Sequence, residues 1–371
     1  MAKRAVFEDV TDDQRTAPGR RAHPREARGA IALWLWSLAA LVFAMILIGG
    51  LTRLTDSGLS ITTWDPVMGV VPPFSEADWQ AAFAAYQTTE EFRTQNHWMA
   101  LEDFKPIYWW EWGHRMFGRV IGLVWAVGFV GFLATRTIPS GWTGRLLLPG
   151  ALGGLQGAVG WWMVASGLDK LDVESYRLAT HLGLAFVIMG LLAWYAMKIR
   201  LEPVGLLKAR RIRADGAALW AGVFGGVLFV QILSGALVAG IDAGRSFVDW
   251  PLMQGQWIPP GWLALEPIWR NFFENAGTVQ FVHRLLGYAV WGLAIAVAWR
   301  AAVAGVPGLG LRGAALLSVA TLQVVLGIVT VMHAAPLELA IIHQGGAVLM
   351  LLVALGLRFR AMYPPETRIA G

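Results

Sequence analysis

Apolar residues fill long stretches of the chain, and short polar segments separate these stretches. A helix that crosses the hydrocarbon core of a membrane needs about 20 mostly apolar residues. Eight stretches meet this requirement, at residues 31–52, 113–135, 144–165, 175–197, 217–240, 280–300, 311–333 and 337–358. The pattern predicts an all-α integral membrane protein with eight transmembrane helices.

Composition supports the membrane prediction and narrows the chemistry. Of the 371 residues, 56% are hydrophobic and 15% are charged. Soluble domains average about 45–50% apolar and roughly 25% charged residues, so a soluble protein is excluded. The chain has no cysteine. Structural disulfides, thiolate zinc sites, iron–sulfur clusters and thiol catalysis are therefore excluded as well.

The distribution of charge predicts the orientation. With the N-terminus inside, the inner segments are 1–30, 136–145, 198–216, 300–312 and 358–371. They hold 20 of the 30 Lys and Arg residues but only 8 of the 25 Asp and Glu residues. This excess of basic residues on one side follows the positive-inside rule, so both termini are predicted to be cytoplasmic. The high pI then reflects topology, and we expect no nucleic-acid partner.

The second half of the chain repeats short motifs of the first half in the same order. The pairs are DSGLS (56–60) with DAGRS (242–246), GHRMFG (113–118) with VHRLLG (282–287), LQ (155–156) with LQ (322–323), and THLG (180–183) with IHQG (342–345). Four helices in each half give both halves the same orientation, as in parallel repeats. The expected fold is two parallel, pseudo-symmetric four-helix bundles.

These boundaries predict a modular chain. A cytoplasmic tail (1–30) precedes the N-terminal half (31–200), which includes a long outer loop (53–112). A basic cytoplasmic linker (201–216) leads to the C-terminal half (217–360), and a short cytoplasmic tail (361–371) ends the chain. Within the outer loop, residues 74–85 and 90–101 are predicted to form short amphipathic helices on the membrane surface. They would either cap a site or simply cover the bundle.

Four of the seven histidines belong to the repeat: His114, His181, His283 and His343. One histidine in a membrane helix is explained by a polar contact between helices, but two matched pairs indicate function. Two histidines that face each other across a four-helix bundle are typical axial ligands of haem iron. Zinc would need further ligands at the same depth, and a proton relay would not need duplicated pairs.

Charged neighbours extend the two histidine pairs. Arg115 and Arg284 directly follow His114 and His283, and a guanidinium suits a haem propionate. Arg53, at the end of the first span, is a third candidate propionate partner. Snorkelling of the arginines toward the membrane interface is the alternative explanation.

The two halves differ three residues before the first histidine of each pair, where Glu111 corresponds to Gln280. This spacing places the side chain on the helix face of the histidine. In an apolar setting such a carboxylate could exchange protons, which predicts a catalytic role for Glu111. The alternative is an interfacial glutamate that the helix dipole favours. The asymmetry indicates one working site and one supporting site.

At these residues the chain resembles the haem A synthase family. The resemblance covers essentially the whole chain and includes residues 49–60 (GGLTRLTDSGLS), residues 111–115 (EWGHR) and the three later histidines of the repeat. It implies oxidation of the C8 methyl group of haem O to a formyl group, which gives haem A for cytochrome oxidase. Some bacterial members carry a cysteine pair in the outer loop. This chain lacks it and resembles the alphaproteobacterial and mitochondrial branch.

The resemblance also implies roles for individual residues and partners. His114 and His181 match the iron ligands of the substrate haem, His283 and His343 match the ligands of haem b, and Glu111 matches the essential acidic residue. The implied location is the bacterial inner membrane, with the haem sites near the periplasmic face. Implied partners are haem O, haem A, haem O synthase, cytochrome oxidase assembly factors, an unidentified electron acceptor and lipid. The resemblance does not determine the oligomeric state, and a homo-oligomer is one of the alternatives.

Alternatives remain at the level of both chemistry and function. A bis-histidine iron has no open position, which favours removal of electrons from the substrate haem and capture of water. Direct oxygen chemistry after the loss of one histidine ligand is the rival. A two-haem b-type electron carrier of a quinol pool would need the same four histidines, but the difference between Glu111 and Gln280 disfavours it. A parallel-repeat transporter would need matched Gly or Pro pairs at mid-membrane, but here the matched Gly and Pro residues cluster at the outer ends of the helices.

Overall fold

The computed structural model describes residues 24–65, 68–168 and 174–365, and its regular secondary structure within them is helical. The predicted tails and His23 therefore lie wholly or largely outside the described residues. The α-helices are α1 (Pro24–Leu54), α2 (Glu76–Tyr86), α3 (Leu101–Ala134), α4 (Thr143–Gly167), α5 (Ser175–Ile199), α6 (Pro203–Arg211), α7 (Asp215–Gly240), α8 (Asn271–Glu274), α9 (Ala276–Ala302), α10 (Leu309–Met332) and α11 (Leu337–Met362).

The long helices coincide with the predicted spans. Seven of them in the described part of the chain, namely α1, α3, α5, α7, α9, α10 and α11, are long and apolar enough to cross a membrane. The prediction of an all-helical membrane protein is confirmed. Helix α4 has 25 residues, enough for a crossing, but glycines and polar residues dilute its apolar run. Its membrane span, and with it the count of eight, stays a prediction.

The long outer loop differs from its prediction. Helix α3 begins at Leu101, whereas the apolar run predicted a start near residue 113. Of the two predicted surface helices, α2 is present, but the second is replaced by one short π-helical segment, Phe92–Asn96. The reason is an aromatic cluster outside the predicted span, formed by Trp79, Phe83, Tyr86, Phe104 and Tyr108. It packs α2 against the first turns of α3 and so stabilises the helical extension.

Contacts between helices define two groups of four. In the N-terminal half, α1 packs on α3, α3 on α4, α4 on α5, and α5 returns to α1. In the C-terminal half, α7, α9, α10 and α11 close the same cycle. The halves meet through α5 against α7, α1 against α11, and α5 against α11. Each half therefore encloses its own interior, and both candidate sites lie in such an interior.

A charged contact joins the halves where α1 and α7 end. Arg53 donates to Asp56 of its own half at 2.8 Å and to Asp242 of the other half at 3.0 Å. Asp242 also lies 3.7 Å from Arg245. The two aspartates are the first residues of the paired DSGLS and DAGRS motifs, so one arginine binds the same motif position from both halves.

Candidate functional site

Each half brings together the two histidines that the repeat predicted. His114 on α3 and His181 on α5 share the N-terminal interior, and His283 on α9 and His343 on α11 share the C-terminal one. The ring centroids of His283 and His343 are 6.5 Å apart. Two imidazoles bound to opposite sides of one metal, with bonds of about 2 Å, have ring centres roughly 6 Å apart. The C-terminal pair therefore fits a bis-histidine iron.

A glycine on the neighbouring helix lies against each histidine ring. A Cβ atom built on these glycines would lie 3.0–3.1 Å from the Cε1 atom of the ring, for the pairs Gly49 with His114, Gly160 with His181, Gly235 with His283, and Gly327 with His343. Contacts this short are tighter than ordinary van der Waals contact. The four glycines thus let each ring lie directly against the neighbouring helix, so a larger residue there would displace the ring.

A methyl group added at one of these glycines should weaken haem binding. Gly160→Ala is expected to lower the haem affinity of the N-terminal site by about 10-fold, since overpacking typically costs about 1–3 kcal/mol. Gly157→Ala on the same helix is the matched control, because a Cβ there meets nothing within 4 Å. Titration of haem into the purified variants measures the effect. Equal haem affinities for the two variants would show that close packing of Gly160 against the His181 ring does not affect haem binding.

The predicted pair of glutamines holds the histidine helices. Gln156 Nε2 donates to the carbonyl oxygen of His181 at 3.0 Å, and Gln323 Nε2 donates to that of His343 at 2.6 Å. Gln156 Nε2 also lies 3.2 Å from the ring nitrogens of His181. Each contact fixes α4 to α5 or α10 to α11 beside a candidate iron ligand. The repeat identified these glutamines, but sequence analysis predicted no role for them.

The first histidines of the two pairs have different surroundings. Ser234 Oγ lies 2.9 Å from Nδ1 of His283, and Gln231 Nε2 lies 3.3 Å from its Nε2. Among the described residues, His114 Nδ1 has no hydrogen-bond partner, nor has His343 Nδ1. A hydrogen bond to the second ring nitrogen orients a ligating imidazole. Sequence reasoning missed Ser234, which the repeat could not reveal because the first half has Ile48 at the corresponding position.

Glu111 is buried, with 3% of its surface exposed, and both of its carboxylate oxygens are engaged. Arg115 Nη2 donates to Oε1 at 2.6 Å, while the Ser60 hydroxyl and the Ile61 N–H donate to Oε2 at 2.8 and 2.7 Å. The expectation of an apolar setting is therefore wrong, because the loop after α1 returns to α3 and supplies polar donors. Ser60 belongs to the repeated DSGLS motif, which was the available signal.

The corresponding side chain in the second half keeps the arginine contact but makes the opposite contacts with its loop. Gln280 Nε2 donates to the carbonyl oxygens of Ala243 and Phe247, each at 3.0 Å, and its Oε1 accepts from Arg284 at 3.2 Å. Glu111 thus binds a loop N–H where Gln280 binds loop carbonyls. The difference in charge between Glu111 and Gln280 therefore accompanies a difference in the loop groups that face them, an N–H in the first half and two carbonyls in the second.

The two arginines beside the histidines bind loop carbonyls. Arg115 donates to Thr63 and Ile61 at 2.8 and 2.7 Å. Arg284 donates to Leu252 and Phe247, each at 3.0 Å. Their guanidinium groups therefore clamp the loops to α3 and α9. Arg53 bridges the halves instead. A propionate would have to share these groups with their present partners.

Other predicted groups lie away from both interiors. His97 is exposed in the outer loop, and His333 is exposed at the end of α10, with Nδ1 2.8 Å from the Val329 carbonyl. In the loop cluster, the Tyr86 hydroxyl donates to the buried Glu91 at 3.0 Å. Burial and the Glu91 charge raise the pKa of Tyr86, so the phenol stays protonated. Among the described residues, no three His, Asp or Glu side chains group as a separate metal site.

Comparison with known proteins agrees with this architecture. Residues 32–355 match the model of the COX15-CtaA family, described as cytochrome oxidase assembly protein. The heme A synthase of Ruegeria sp. (strain TM1040) is 55% identical over 383 residues, which cover 100% of both chains. That of Ruegeria pomeroyi is 56% identical over 382 residues with the same coverage. That of Paracoccus denitrificans is 53% identical over 384 residues, covering 100% of this chain and 99% of its own.

The fold and the paired histidines define a multi-pass helical membrane protein with two histidine-lined interiors. The family is equally plain from the matches over the full length. This chain belongs to the COX15-CtaA family of cytochrome oxidase assembly proteins.

Proposed function

We propose that this chain acts as a haem A synthase, which oxidises the C8 methyl group of haem O to a formyl group. The observation that carries the proposal is its 55% identity, over the full length, to a protein named heme A synthase. The two buried histidine pairs support it, because a reaction on a haem needs one site for the substrate and a route for its electrons. Haem O is the substrate and haem A is the product.

We infer that the N-terminal interior holds the substrate. His114 and His181 would bind the iron of haem O, which sets the porphyrin between α3 and α5. The carboxylate of Glu111 lies three residues before His114 and is the nearest negative group on that helix face. Because Arg115, Ser60 and Ile61 fix this carboxylate, it is preorganised to orient a water molecule or to take a proton beside the reacting methyl group.

The oxidation balances with water as the source of oxygen. The methyl group and one water molecule give the formyl group, four protons and four electrons. Two rounds of hydroxylation lead to a hydrated aldehyde, which loses water to form the aldehyde. Glu111 would accept protons in these rounds and release them toward the loop surface, while Arg115, which is always protonated, would only hold the carboxylate in place.

The C-terminal interior would hold haem b. His283 and His343 would hold its iron, and the 6.5 Å between their ring centroids supports the assignment. When bound there, haem b supplies one-electron transfer. Ser234 would orient His283 through Nδ1 and leave Nε2 for the iron, so that Gln231 would give up its contact with Nε2. Gln323 would fix the turn of α11 that carries His343.

We propose that the protein lies in the bacterial inner membrane with both termini in the cytoplasm and the histidine pairs near the periplasmic face. The excess of basic residues in the inner segments supports this orientation. A phosphatase reporter, active only in the periplasm, is expected to be inactive when fused after Gly371, whereas a green fluorescent reporter there should fluoresce. The reverse pattern would contradict the topology.

Haem analysis tests the proposed function directly. The chain is expressed in a strain that lacks its own haem A synthase but makes haem O, and the extracted haems are identified by mass. We expect haem A to appear with the full chain and to be absent with the empty vector. Haem b in the purified protein without any haem A would instead favour a two-haem electron carrier.

A further inference from the structure

We propose that an aromatic cavity beside the first turns of α9 binds a quinone, which accepts the electrons released by the oxidation of haem O. This inference rests on the proposed function and names its electron acceptor. The cavity has a volume of about 350 Å³, within the range of small-molecule sites. Helix α9 and the loop that precedes it form its walls, which include Trp250, Trp257, Phe281, Arg284, Leu285 and Tyr288.

The cavity lies on the far side of the helix that carries His283. Phe281, Leu285 and Tyr288 are spaced by four and three residues and share one face of α9, whereas His283 projects from nearly the opposite face. A helix with its side chains is about 10 Å across, so only this thickness separates the cavity from the proposed iron ligand. This is a short path for electrons.

The cavity opens sideways, where a lipid-soluble molecule could enter. Leu285 is 49% exposed and Tyr288 is 41% exposed, although both belong to a helix long and apolar enough to cross a membrane. This face of α9 is therefore the one that lipid would cover. Quinones diffuse within the bilayer, so their access would not require a docking protein.

A hydrogen-bond donor in the wall points to a ligand with a carbonyl group. Trp250 Nε1 donates to the Tyr288 hydroxyl oxygen at 2.8 Å, which leaves the hydroxyl hydrogen to donate elsewhere. A quinone presents carbonyl acceptors on a flat ring. The indole and phenyl walls suit the ring, and the Tyr288 hydroxyl suits one of its oxygens.

The equivalent cavity of the N-terminal half has different chemistry. Its volume is about 290 Å³, and Arg115 and Trp112 occupy the positions of Arg284 and Phe281. Asp65 and Arg119 replace Trp250 and Tyr288, however, so charged groups stand where the second half has aromatic ones. Burying an uncharged ring against these groups would be unfavourable. The contrast restricts the quinone to the half that would hold haem b.

With a quinone as the acceptor, the electrons and protons of the reaction balance. Oxidation of one methyl group to a formyl group with one water molecule releases four electrons and four protons. Each quinone takes two electrons and two protons and becomes a quinol. Two quinones therefore balance each haem A that forms, and no further oxidant is needed.

Binding is tested with the haem-loaded full chain in lipid nanodiscs, with decyl-benzoquinone as the probe and an azido derivative for crosslinking. Leu285→Trp should fill the cavity and lower the affinity by more than about 10-fold. Tyr288→Phe should lower it by about 3- to 10-fold, the range of one hydrogen bond. Leu322→Trp on α10 is the control, because Leu322 is 68% exposed and lines neither cavity. Its affinity should equal that of the unmodified chain.

The outcomes separate this inference from the proposed function. Crosslinks within residues 247–288 support the site, and so does restoration of haem A synthesis in Leu285→Trp by ferricyanide, a soluble acceptor. Haem A synthesis by a chain that binds no quinone would overturn the inference and leave the function intact. Crosslinks elsewhere, or crosslinks that phospholipid suppresses but unlabelled quinone does not, would also overturn it. Absence of haem A with either acceptor would count against the function itself.

Discussion

Glu111→Gln is expected to abolish most haem A synthesis while the protein still folds and retains haem b. The carboxylate accepts three hydrogen bonds, and an amide would set a donor against Arg115 or against Ser60 and Ile61. The variant therefore loses both the ion pair and the proton acceptor. General acid–base groups contribute about 10²–10⁴ in rate, so extracted haems should contain haem O or a hydroxylated intermediate in place of haem A.

Two further variants separate the chemistry of Glu111 from its structural contacts. Ser60→Ala removes one donor but keeps the carboxylate, so haem A should fall by only about 10-fold or less. Gln280→Glu places a carboxylate at the corresponding position of the second half and should not create a second active half. Normal haem A yield from Glu111→Gln would exclude Glu111 from the reaction. The electron-carrier interpretation would then gain support.

Removal of either histidine in the C-terminal half should eliminate the haem b spectrum. His283→Ala or His343→Ala leaves the proposed iron with one protein ligand. Bound haem b should fall by more than about 10-fold, because even outer-shell partners of a metal site change affinity by about 10–100-fold. The measurement is the reduced-minus-oxidised absorption spectrum of the purified protein, scaled to its protein content.

The controls are the histidines outside the two interiors. His97→Ala and His333→Ala should retain haem b, because both side chains are exposed and neither faces His283 or His343. Retention of an unchanged haem b spectrum in His283→Ala would show that the ligand pair is wrong. Loss of the spectrum in His97→Ala would show the same.

Helix ends within the membrane were predictable because a helix that crosses the hydrocarbon core needs about 20 apolar residues, so each apolar run marks both ends of its helix. Helix α5 was expected at 175–197 and spans Ser175–Ile199, and α10 was expected at 311–333 and spans Leu309–Met332. Helix α3 was the largest exception. Its first turns contain Glu102, Asp103 and Lys105, so hydropathy gave no signal there. Tertiary packing with α2 stabilises this extension, and tertiary packing is not encoded in local periodicity.

The candidate site shows the same division between local and long-range information. The histidine pairs and the contrast between Glu111 and Gln280 were visible because the repeat places them at matched positions. The donors to Glu111 were not, since a backbone N–H such as that of Ile61 leaves no signature in a sequence. The glycines beside the histidine rings were detectable in principle. Gly160 and Gly327 differ by 167 positions, the offset of the paired glutamines.

Arg53, which contacts an aspartate of each half, holds the two halves together by a non-covalent contact that does not depend on chain connectivity. Arg53 and Asp242 lie far apart in sequence, and the segment between α5 and α7 contributes nothing to their contact. In physical terms that segment is a tether, which sets the effective concentration of one half for the other at about the millimolar level of short linkers. Two separately synthesised halves would carry the same complementary faces and would differ from the intact chain only in how often those faces meet.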